Sequence, residues 1–128
     1  MLQRDYLVQM LTMFAAAIAR SIERRRSKHD PEGAAEMLEE AISEATDIDG
    51  SILLALAPES VASILQVSDV DPRVVGYIVR SLYLESEYLD EAGDDGLARL
   101  RAQQADAIAD AYGFIEEDLP DIDAADSE

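Results

Sequence analysis

The side chains capable of chemistry in this 128-residue chain are mostly carboxylates: 28 Asp and Glu stand beside one histidine and no cysteine. Without cysteine there is neither a disulfide framework nor a thiolate metal site. Carboxylates could instead build a helix–loop–helix calcium site, with oxygen ligands at loop positions 1, 3 and 5, glycine at 6 and glutamate at 12. Counted from Asp47, the glycine of Asp47-Ile48-Asp49-Gly50 comes at the fourth position. Counted from Glu91, the third position is Gly93 and the twelfth is Ala102. Both segments are expected to be helix-capping turns, and no metal or cofactor is expected.

Other catalytic arrangements are equally thin. His29 is next to Asp30 in a turn-forming stretch, with no second histidine to share a metal and no Gly-x-Ser-x-Gly or glycine-rich phosphate loop anywhere. Tyr83, Glu85, Glu87 and Tyr88 are the best candidates for a polar cleft between helices. They support an alternative reading as a small-ligand-binding protein or enzyme. No catalytic residue is assigned.

Charge is distributed unevenly. Residues 1–28 hold six Lys or Arg against Asp5 and Glu23, a net of +4, while the other hundred residues carry a net of −22. The sum of −18 repels nucleic acid and anionic membrane. The basic cluster Arg20, Arg24, Arg25 and Arg26, followed by Lys28, has no aromatic among it to stack on bases. It is expected to pair with the protein's own acidic helices or tail. Leu7 to Ala19 is apolar, but Arg4 is offset by Asp5 and the arginines follow the run, unlike a secretory signal. No apolar run reaches the ~20 residues of a membrane span, so the expected location is the cytoplasm.

Six helices must position these residues. Leu7, Leu11, Phe14, Ile18 and Ile22 share one face of a first helix from about Leu2 to Arg26. Asp30-Pro31 and Asp71-Pro72 are start signals for helices over 31–46 and 72–92. Short helices over 51–56 and from Pro58 lie between them, and Gly93-Asp94-Asp95-Gly96 turns the chain into a helix over 97–112. The helix from Pro72 is apolar on two sides and so should be central; Gly76 within it suggests a close backbone crossing. The expected fold is all-α, a stacked array of antiparallel helices in a single domain over 1–115. An acidic, partly disordered tail is expected over 116–128.

The opening Met1-Leu2-Gln3-Arg4-Asp5-Tyr6-Leu7 resembles the start of a bacterial family of unknown function, whose members begin with an Arg-Asp-Tyr-Leu stretch on a long first helix. The resemblance implies no activity. Residues 74–112 are similar to one tetratricopeptide helix pair, with Ser86, Leu89, Gly93, Ala98, Ala102 and Ala105 at the small and packing positions and Glu85 where leucine is expected.

The function expected from these features is that of a non-catalytic helical interaction module that self-associates as a homodimer. Met10, Met13, Phe14 and Ala17 are the candidate contact surface: methionine adapts to irregular partners, and alanine admits a close helix. Protein is the expected partner; nucleic acid and membrane are not.

Overall fold

The computed structural model describes residues 2–121, and every element of regular structure among them is helical. The order is α1 (Leu2–Lys28), α2 (Pro31–Thr46), α3 (Gly50–Leu53), α4 (Pro58–Val67), α5 (Pro72–Glu91) and α6 (Asp95–Tyr112), then a 3-10 turn over Glu116–Asp118. Residues 122–128, the end of the expected acidic tail, lie outside the described residues.

Part of the protein's acidity is accounted for by helix starts. The side chains of Asp30, Asp49, Asp71 and Asp94 accept hydrogen bonds from the backbone N–H groups of Gly33, Ser51, Arg73 and Leu97. Each satisfies a donor that the first helical turn leaves unpaired, worth about 1 kcal/mol. Pro31, Pro58 and Pro72 then occupy the first helical turns, where a missing N–H does no harm. The two loops weighed as calcium sites are these capping turns: Asp47 closes α2 at φ 60°, Asp49 opens α3 and Asp94 opens α6.

α1 and α2 form an antiparallel hairpin, as do α5 and α6, and α5 packs against α1, α2 and α6. Helix α1 runs parallel to α5: Phe14 stacks on Tyr77 at 5.8 Å between ring centroids, Ser21 hydrogen-bonds Tyr88, and Arg25 meets Glu91. A central α5 needs apolar side chains on several faces. Val75, Ile78, Val79 and Leu82 are all fully buried.

The two short helices complete the array. α3 packs on α2, while α4 lies along α6. The packing continues past residue 115. Phe114 and Leu119 rest on the core, and Arg80 of α5 donates to the Pro120 carbonyl at 3.0 Å while pairing with Glu116. What approaches Gly76 is this segment rather than another helix. A Cβ built there would meet Pro120 and Asp118 at 3.7 and 3.8 Å, ordinary contact distances.

Candidate interaction site

Helix α1 has two very different sides. Met10, Phe14 and Ala17, three of the four residues expected on a self-association surface, belong to the core, and Phe14 is fully buried. Met13 alone keeps partial exposure. The correction has a simple cause. α1 contacts both α2 and α5, which also contact one another, so its apolar stripe must serve two neighbours in the same chain. The width that suggested a second copy is used internally.

The opposite side of α1 is the unexpected one. Val8 is exposed at 55%, and Gln9, Thr12 and Ala16 are exposed with it, while Tyr6, exposed at 63%, lies one turn before Met10 on the core side. From Tyr6 to Ala19 there are fourteen consecutive residues without a charge, in a chain of which 30% is charged. Lengths explain why Tyr6 is uncovered although it continues the core side. The 27 residues of α1 span ~40 Å and the 16 of α2 only ~24 Å, so α2 ends well short of the α1 N-terminus. The register set by Phe14 on Tyr77 also brings α5 in only after the first two turns.

The basic cluster at the other end of α1 is largely engaged by the chain itself. Arg24 pairs with Asp30 at 2.9 Å, and Arg26 lies 4.0 Å from Glu23. Arg25 grips Glu91 through both Nε and Nη2, which raises the guanidinium pKa and lowers that of the carboxylate. Asp30 is held below the usual carboxylate range, chiefly by the Gly33 N–H and then by Arg24. Arg20 is exposed. The described part of the acidic tail meets Arg80 instead of this cluster.

The most heavily bonded cation is one the sequence did not single out. Arg101 of α6 is buried, with Nε donating to Glu85 at 2.8 Å, Nη1 to the Leu54 carbonyl at 2.9 Å and to Gln104 at 3.1 Å, and Nη2 to Glu39 at 3.2 Å. Gln104 donates in turn to the carbonyls of Leu54 and Leu56. This clasp ties α2, α5 and α6 to the turn leading from α3 into α4. It satisfies carbonyls that the end of α3 would otherwise bury unpaired. Burial pushes the Glu85 carboxyl up to about 7 against the pull of Arg101, with the second carboxylate, Glu39, adding to the rise. Its Oε1 and the Ser81 hydroxyl, one turn earlier on α5, are buried without a hydrogen-bond partner.

The clasp also explains why Tyr83, Glu85, Glu87 and Tyr88, weighed as the lining of a polar cleft, do not gather in one. Glu85 points to Arg101 in the interior, and Tyr88 is buried against Ser21 on α1. Tyr83 donates to Asp106 on α6, its phenol pushed up to about 12 by burial and then by that carboxylate, while Glu87 is exposed. The four side chains serve different neighbours. In the helix pair once likened to a repeat, the Ser86 hydroxyl donates to the Ala98 carbonyl at 2.7 Å, a close α5–α6 contact.

By fixing the turn before α4, the clasp sets α4 beside α6 and leaves a groove of about 900 Å3 between them. Ala62 and Ala107 form its floor, the exposed Ala111 also lines it, and Glu59, Asp106 and Asp110 are its only charged lining residues. Among the described residues no group of three His, Cys, Asp or Glu side chains could hold a metal ion, and no helix is long and apolar enough to cross a membrane. Compared with protein-family models, curated proteins and solved structures, the chain has no match.

Proposed function

We propose that this protein is a non-catalytic helical interaction module that pairs with a second copy of itself through the outer face of α1. The observation that carries the reading is the uncharged stretch from Tyr6 to Ala19, with Val8, Thr12 and Ala16 turned to solvent on one side of the helix. Two chains of net charge −18 repel over most of their surfaces. Residues 2–19 contain only Arg4 and Asp5 as charges, so this face lets two copies meet without that repulsion. Alanines 15, 16 and 19 allow a close approach, while Val8 supplies apolar area. A two-fold antiparallel pairing buries the patch on both copies and keeps their arginine clusters apart.

Sedimentation equilibrium tests the proposal. Wild type should be dimeric at micromolar concentration, and the double variant Val8→Glu, Ala16→Glu should be monomeric with unchanged helicity, because both side chains are exposed. A monomeric wild type, or a variant that stays dimeric, overturns it. Glutamate at Met10, by contrast, would enter the core and report on folding instead.

A further inference from the structure

We infer that the groove between α4 and α6 is a second docking surface, whose occupant is a cationic amphipathic helix of another protein. α4 packs along α6 and otherwise depends on the Arg101 clasp at its start, so one long side of it faces solvent. The exposed Ser63, Gln66 and Val67, the last at 85%, lie on or beside that side. The alanine floor admits a third helix at the close interaxial distances of packed helices, ~8–10 Å.

The rim selects the sign of the occupant. Asp106 and Asp110 are one helical turn apart and face Glu59 across the groove, with no Lys, Arg or His in the lining. Lysines or arginines at i and i+4 on a partner helix match that spacing. Other occupants fit poorly. The carboxylates are not grouped to hold a metal ion, and nucleic acid is repelled by the rim. A small molecule would find no aromatic or large aliphatic wall. A second copy brings net charge −18, and its Arg24 and Arg25 are already paired with Asp30 and Glu91.

The test uses the full chain, 15N-labelled, at low salt. Its probe is a synthetic Ala/Leu/Lys peptide with lysines at i and i+4 on one face, beside a scrambled peptide of the same composition. The helical peptide should shift the amides of α4 and α6. The double variant Asp106→Asn, Asp110→Asn should weaken binding about tenfold, the sum of two partly exposed ion pairs. The control Glu36→Gln, Glu40→Gln removes the same charge, also one turn apart, from the exposed face of α2. It should change affinity by less than about twofold, as expected when long-range attraction alone is altered and salt screens it. Equal weakening by the two variants, equal binding of the scrambled peptide, or shifts spread over the whole acidic surface would overturn the assignment.

Discussion

Arg25 and Arg101 are the same residue type in ion pairs of similar reach, yet they belong to different kinds of structure. Arg25 holds Glu91 at the surface, with nearly half of its side chain in water. Arg101 is 6% exposed and joins two carboxylates, a glutamine and a backbone carbonyl. Water can replace what Arg25 does, since exposed pairs are worth about 0–1 kcal/mol. Nothing can readily replace Arg101, because its loss leaves Glu85 in the interior without its cation and takes one of two donors from the Leu54 carbonyl. A cluster of arginines in a sequence is therefore a weaker guide to structural importance than one arginine on a buried face.

Four measurements break or sharpen this contrast. The largest effect is expected for Arg101→Met, which should cost about 3–5 kcal/mol in denaturant unfolding; a cost below 1 kcal/mol would place the clasp on a par with the surface pairs. The next concerns pH. Glu85 binds its proton more tightly in the folded state than in the unfolded chain, where the carboxyl titrates near 4.5. Its contribution is therefore fully present below that value and is lost as pH rises through about 7. The loss is on the order of 3 kcal/mol at most. Glu85→Gln keeps an acceptor for Arg101 and has no proton to lose, so the wild-type decline between these pH values should flatten. Identical pH slopes would refute the assignment.

Arg80 is the intermediate case. Its side chain is 16% exposed and bonds the Pro120 carbonyl and Glu116. Arg80→Ala should cost about 1–2 kcal/mol and loosen the segment after α6, as read by amide exchange of Leu119. The smallest effect belongs to Arg25→Ala, below that of Arg80→Ala and shrinking further in high salt. A cost from Arg25→Ala that exceeds that of Arg80→Ala would reverse the ranking by burial.

What could be read from the chain was what short-range chemistry dictates. Asp30-Pro31 and Asp71-Pro72 mark helix starts because capping and turn geometry involve only near neighbours in sequence. The helix expected over about 31–46 is α2, and α6 begins two residues earlier than expected because Asp94 is its cap. The short third helix stops at Leu53, and the carbonyl of the capping Leu54 turns to Arg101 and Gln104 instead of continuing the helix.

The clasp itself was hidden by a rule that is usually sound: a charge on a helix faces water. A signal was present nonetheless. Glu85 lies in line with Ile78, Leu82 and Leu89, and Arg101 in line with Ala98, Ala105 and Ile108, so two opposite charges interrupt two apolar stripes on consecutive helices. The reversal at α1 has another origin. Whether Met10 or Val8 faces the core depends on where α5 lies, and the parallel α1–α5 arrangement is set by tertiary packing that no local pattern in α1 encodes.

The claim that the outer face of α1 joins two copies can be tested most directly with a single cysteine, which this cysteine-free chain makes unambiguous. Thr12 is exposed at the middle of the face between Val8 and Ala16, where a two-fold antiparallel pairing brings like residues together. Under mild oxidation Thr12→Cys should form a disulfide-linked dimer rapidly and nearly completely, while Glu36→Cys on the exposed face of α2 should remain uncrosslinked. Thr12→Cys that stays monomeric, or that crosslinks no faster than Glu36→Cys, would contradict the account.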